Sequence, residues 1–220
     1  MSRRSYQQYC PLAHALDLVG ERWTLLIIRE LQLGPRRFSD LERGLPGLSP
    51  NLLSERLQAL ESWGLITPQP LPPPARLRAY ALTASGQALN TALVLLAQWG
   101  AQFLQMPIPD DEFLGTIPAM ASLKILFQPT LAETETLSAE VHLEPDSFRL
   151  HLIPTELHLE QGFLPKASLV LHTDPKQLLG LATGMLAVSD AVEDNLLQIT
   201  RGTQDAAEML FAQFGLPTHS

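Results

Sequence analysis

The chain has 220 residues, 45% of them hydrophobic, enough for one large domain or two small ones with real cores. Its net charge of −8 conceals two unlike halves: residues 1–105 carry ten Arg and no Lys against seven acidic residues, a balance of +3, while residues 106–220 carry five basic against sixteen acidic residues, a balance of −11, so only the first half suits a polyanion. A single Cys excludes an internal disulfide and a four-thiolate zinc site, no apolar run approaches the roughly 20 residues that cross a bilayer, and the polar start MSRRSYQQY lacks the apolar segment of a secretory signal, so a soluble cytosolic protein is expected.

Residues 12–33 are rich in apolar side chains. Leu16, Val19, Trp23, Leu26, Ile27 and Leu31 sit close to a helical stripe, and Gly20 is placed to separate two helices. Gly34-Pro35 ends this run. Arg36 and Arg37 follow, either as phosphate contacts or as the solvated entry to the next helix. Residues 36–66 read as a helix-turn-helix. Phe38, Leu41 and Leu45 are spaced for a first helix that stops at Pro46-Gly47. Ser49 is a favourable N-cap for a second helix, and Pro50 suits a first turn that needs no N–H donor. Leu53, Leu57 and Leu60 share one face of it; the opposite face carries Asn51, Glu55, Gln58 and Ser62, with Ser54 and Arg56 on the flanks. Amide and hydroxyl side chains of this kind can read base edges in a major groove wide enough for a helix, which makes Ser49, Asn51, Ser54, Arg56 and Gln58 candidate DNA contacts. A plain solvent-exposed helical hairpin shares the same spacing.

Residues 65–67 and 77–82 read as a strand and its return, and five prolines within residues 68–74 rule out a helix or an interior strand at the tip between them. Arg76 and Arg78 flank this stiff tip and would meet the minor groove or its phosphates. Thr83 then caps a helix expected over residues 84–104, where Leu89, Leu93, Leu96, Trp99 and Phe103 recur at threes and fours. So apolar a helix at the end of a small domain is a candidate dimer interface.

Taken in order, Cys10-Pro11, Gly20-Glu21-Arg22-Trp23-Thr24, the run from Gly34 to Leu41, Pro46-Gly47-Leu48-Ser49, Gly64-Leu65 and Tyr80-Ala81-Leu82-Thr83 resemble the HxlR family of winged-helix transcriptional regulators over roughly residues 8–104. The resemblance implies a homodimer on double-stranded DNA, with recognition helices in successive major grooves of a pseudo-palindromic operator and wings on the flanking DNA. Asn51 departs from the basic residue that members often carry there, and the proline tip is long. Several members sense electrophiles or oxidants through a Cys in the position of Cys10; here that residue is either redox-active or a small hydrophobe beside Pro11.

Residues 106–112, with two prolines and three acidic residues, read as a linker. Residues 113–127 have helical spacing with a kink or helix break expected at Pro118. Strand alternation follows over 137–144, 148–153, 156–161 and 167–172, and helical spacing returns over 175–187 and 205–214 around a strand at 196–201. The fold expected is therefore a mainly α winged helix-turn-helix DNA-binding and dimerisation domain in 1–105, followed in 106–220 by an α+β domain with a largely antiparallel sheet covered by helices. His142, His151, His158 and His172 fall on strands beside apolar neighbours that point the other way, so they face outward as polar positions more readily than as metal ligands.

The helix KQLLGLATGMLA, with Thr183-Gly184 and Gly202-Thr203-Gln204-Asp205, resembles the sterol-carrier-protein type of lipid-binding fold. That resemblance implies an apolar tunnel, and Phe113, Ile117, Met120, Leu178, Leu181, Met185, Met209 and Phe211 either line it for a small hydrophobic ligand or fill a packed core. No Ser-His-Asp set, paired carboxylate or phosphate loop emerges, so neither catalysis, cofactor nor metal is expected. The reading is a ligand-controlled, sequence-specific DNA-binding regulator. Its alternatives are a thiol sensor through Cys10 with the second domain as scaffold, or a lipid carrier that uses the first domain only to dimerise.

Overall fold

A computed structural model describes residues 5–70, 78–105, 107–109, 111–128 and 136–216. The chain divides into two compact units, Met1–Trp99 and Gly100–Ser220. The division falls inside a helix rather than in the expected linker at 106–112.

In the first unit, α1 (Pro11–Val19) and α2 (Thr24–Glu30) are separated at Gly20, followed by β1 (Arg36–Arg37), α3 (Phe38–Gly44), α4 (Pro50–Ser62), β2 (Ile66–Pro70), β3 (Arg78–Leu82), α5 (Ala84–Gln87) and α6 (Asn90–Ala101). Trp23 is not part of a helical stripe: it precedes α2 with φ 76°, in the left-handed region. There the Arg22 guanidinium lies 5.2 Å from its ring centroid, a cation–π arrangement. The three strands are antiparallel in the order β1-β3-β2. Pro68 and Pro70 therefore sit on an edge strand, where the missing N–H costs no interior ladder bond. The core joins Val19, Ile27, Ile28, Leu31, Leu41, Leu45, Leu53, Leu57, Leu60 and Ile66. The long helix expected over 84–104 is instead two. Thr83 Oγ1 caps α5 by accepting from Gly86 N–H at 3.2 Å, and the chain then tightens through a Leu89 N–H to Gly86 O bond, also 3.2 Å, before α6 begins.

The second unit contains α7 (Thr116–Leu126), β4 (Leu137–Leu143), β5 (Asp146–Ile153), β6 (Glu156–Gln161), β7 (Leu169–Thr173), α8 (Pro175–Thr183), α9 (Val188–Glu193), β8 (Gln198–Arg201) and α10 (Gln204–Phe211). Its five-stranded sheet runs β6-β5-β4-β7-β8, and β4 with β7 is the parallel pair in an otherwise antiparallel array. Alternation along the strands buries Ala139, Val141, Leu143, Phe148, Leu150, Leu152, Leu169 and Leu171. Pro118 does not kink α7. It lies in the helix's first turn, where an N–H would have no intrahelical partner. The helix expected to run to 187 ends at Thr183, because Gly184 takes the left-handed conformation (φ 74°) as its C-terminal stop, and α9 follows as a separate element.

Candidate nucleic-acid interface

The second helix of the helix-turn-helix is built locally. Ser49 Oγ accepts the Leu52 N–H at 3.4 Å, Pro50 occupies the first turn, and Leu53, Leu57 and Leu60 are fully buried against the core. That anchoring fixes the helix's rotation, so Asn51, Gln58 and Ser62 are exposed while Ser54 and Glu55 are half-exposed at the edges of the same face. Ser49 is exposed, with its hydroxyl already engaged as the cap.

Five arginines were candidates for DNA contact, and the structure separates them. Arg36 is only 2% exposed: it lies on β1 opposite Tyr80, and its side chain is enclosed by the domain rather than offered to a phosphate. Alternation along a strand then turns its neighbour outward. Arg37 is exposed, and its backbone N–H donates to Asp40 Oδ2 at 3.2 Å at the start of α3. Arg56, with 17% of its side chain exposed, pairs with Glu21 at 3.3 Å and Glu55 at 3.5 Å. It ties α4 to the turn before α2 instead of standing free beside the exposed polar residues of that helix. Arg78 is exposed at the first position of β3, opposite Pro70 in the hairpin. Arg76 lies outside the described residues, as does the tip at 71–77. Sequence reasoning passed over Arg22 and Arg43, both exposed on this unit. Arg43 pairs with Asp40 at 2.7 Å, three residues earlier in α3, a spacing that was readable as a helical ion pair.

Cys10 is half-buried at the N-cap of α1, beside Pro11 at the helix's first position. In the second unit, Ile117, Met120, Leu178, Leu181 and Phe211 are buried with the core. Phe113, Met185 and Met209 are exposed instead: Phe113 precedes α7, Met185 follows the stop of α8, and Met209 falls on the outer side of α10. None of the eight lines the cavity found in this unit, which is bordered by Glu140, Phe163, Leu164, Pro165, Val170, Thr200 and Arg201. The strand histidines also divide. His151 and His158 are exposed and face each other across β5 and β6, whereas His142 and His172 are half-buried and stacked with ring centroids 4.1 Å apart, beneath Phe163. His142 does not face open solvent because Phe163, in the segment after β6, lies against it, and His172 is half-covered by the stacked His142 ring. Burial, then the neighbouring His142, holds the His172 pKa below its ordinary value against the opposing pull of Glu144 and Glu140. Among the described residues no group of three or more His, Cys, Asp or Glu side chains is arranged to hold a metal ion, and no helix is long and apolar enough to cross a membrane.

Residues 18–107 match the HxlR-like helix-turn-helix family. An HTH-type transcriptional regulator of Mycobacterium tuberculosis is 45% identical over 96 residues, 44% of this chain and 60% of that protein, so the chain spans less than two thirds of that relative's length. The regulator YodB of Bacillus subtilis is 36% identical over 44% of this chain and 87% of its own length. The solved structure of its reduced form covers 44% of this chain and 95% of that one, with a TM-score of 0.39. With the HTH-type regulator YvaP of Bacillus subtilis 37% identical over 49% of this chain and matched over 95% of its own length, the chain belongs to the HxlR-like helix-turn-helix family of transcriptional regulators.

Proposed function

We propose that the protein is a homodimeric, sequence-specific DNA-binding regulator whose α4 enters the major groove of a pseudo-palindromic operator. The observation that carries this reading is the outward row of Asn51, Ser54 and Gln58 on a helix locked in rotation by Leu53, Leu57 and Leu60. Amide and hydroxyl groups in that position discriminate base edges, while Arg37 and Arg78 supply exposed positive charge for phosphates on either side. Two of the remaining candidates take other roles in this proposal: Arg36 supports the sheet from inside, and Arg56 orients α4 through Glu21.

Dimerisation is supported by α6, which has no buried residue although it carries Leu95, Leu96 and Trp99, the last 61% exposed. Leu12 and Leu16 on α1 add further exposed apolar surface to the same unit. A monomer would leave all of this in water, and a second copy is the partner that a pseudo-palindrome requires.

In this proposal the second unit carries the effector, and its helices cover the apolar face of the sheet. The sterol-carrier resemblance suggested a hydrophobic ligand in that layer, yet five of the eight residues it pointed to are core and three are exposed. A second reading assigns sensing to Cys10, favoured by its being the chain's single thiol and only half-buried at the N-cap of α1. Gel-shift titration of promoter fragments against random DNA at several salt concentrations tests the proposal. Specific binding with a steep loss on adding salt is expected, and equal affinity for both DNAs would reject it.

A further inference from the structure

The polar face of the second unit's sheet holds a carboxylate in an unusual setting. Glu140, on β4, is 8% exposed although it points away from the apolar row formed by Ala139 and Val141. The cover is the segment after β6: Leu164 N–H donates to Glu140 Oε2, and Phe163 lies over His142, with ring centroids 6.1 Å apart. Glu140 Oε1 is 2.6 Å from His142 Nε2, and His142 Nδ1 is 2.9 Å from Ser147 Oγ. A neutral imidazole satisfies both contacts, with Nε2–H donating to Glu140 and Nδ1 accepting the Ser147 hydroxyl proton. Glu140 Oε1 then accepts from His142 and Oε2 from Leu164, and both oxygens retain unused lone pairs.

Glu140 borders a half-open cavity of about 250 Å³, the volume of roughly eight liquid waters at ~30 Å³ each. Phe163, Leu164, Pro165 and Val170 give it an apolar side, and Arg201 brings a guanidinium to the same lining. Arg201 is held in place because its Nη1 donates to Pro165 O at 3.0 Å and Ala167 O at 3.3 Å, which also fixes the covering segment. A buried anion and an anchored cation on one small, partly apolar cavity match a ligand that carries both charges. A simple amine would be repelled by Arg201, and a simple carboxylate by Glu140.

We infer that this cavity binds a small zwitterion of amino-acid type, its ammonium on Glu140, its carboxylate on Arg201 and its apolar side chain against Phe163, Pro165 and Val170. Binding does not depend on the chain's acting on DNA, so the two readings fail separately. The full-length protein is titrated calorimetrically with L-leucine, with isopentylamine, which lacks the carboxylate, and with 4-methylpentanoate, which lacks the ammonium. Saturable one-to-one binding of leucine is expected, with both single-charge analogues at least about tenfold weaker, as loss of a charge-assisted hydrogen bond implies. Glu140→Gln should weaken leucine by about the same factor. Because that change also touches the contact to Leu164, Thr200→Phe serves as the second variant. Thr200 is exposed on β8, so filling the cavity from there should abolish binding while leaving the unfolding temperature unchanged. Absence of leucine binding, equal binding of either analogue, or undiminished binding in both variants would each overturn the inference.

Discussion

Replacing Gly86 by Ala should unsettle the first unit far more than the loss of one glycine suggests. A Cβ built at this position falls 2.1 Å from the backbone carbonyl oxygen of Leu65 and 3.1 Å from Leu82 Cδ2, whereas ordinary contact begins at 3.4 Å. The oxygen cannot simply step aside, since it also accepts the Thr83 N–H at 3.0 Å and lies 3.2 Å from the Thr83 hydroxyl, which donates to Gly64 O at 2.6 Å. Relieving the clash means moving α5 off the hairpin by more than an ångström. Overpacking of this kind costs about 1–3 kcal/mol, and spoiling the Thr83 cap adds about 1 kcal/mol. For a unit of this size each kcal/mol lowers the melting temperature by about 4–8 °C, so a fall of at least ~8 °C is expected. All three tryptophans, Trp23, Trp63 and Trp99, belong to this unit, so a fluorescence melt of the full chain reads it selectively. Gly100→Ala is the matched control: its Cβ meets nothing within 4 Å, and an Ala inside α6 should gain about 0.5–1 kcal/mol. A Gly86→Ala melt within ~2 °C of the parent chain would show that the close approach does not constrain this unit.

Three further outcomes are expected. Leu96→Glu with Trp99→Glu places charge on exposed apolar positions of α6, so sedimentation should show monomers with unchanged circular dichroism, and persistent dimers would exclude α6 as the main interface. Asn51→Ala should cost about 1–3 kcal/mol at one operator position, whereas Arg37→Ala should weaken specific and random DNA alike; equal losses on both DNAs from Asn51→Ala would remove it as a base reader. His172 is held below its ordinary value of 6.5, chiefly by burial, so the unfolded chain takes up the proton first: stability is full above that pH and declines as pH falls below it. His172→Gln should flatten that decline in melting temperature between about pH 8 and pH 5 relative to the parent chain, and an unchanged slope would reject the assignment.

Features that depend on near neighbours were legible in the sequence. The Ser49 cap, Pro50 in the first turn and the Leu53, Leu57 and Leu60 stripe are set by bonds and spacings within four residues, and the folded chain uses all of them. The strand runs 156–161 and 137–144 were visible for the same reason, since alternation is a local property. What local pattern could not settle was the environment of long polar side chains. Arg36 and Arg37 are identical and adjacent, yet one is enclosed and the other exposed, because pairing of β1 with β3 chooses which face points inward. Arg56 looked free on its helix until Glu21, 35 residues earlier, came within 3.3 Å. His142 read as an outward strand position, and only the return of residues 163–167 over that face half-buried it, covered Glu140 beside it and formed one side of a cavity. Periodicity determines which residues share a face, but whether that face meets solvent, a partner charge or another segment depends on contacts between residues far apart in sequence, and these exist only in the folded chain.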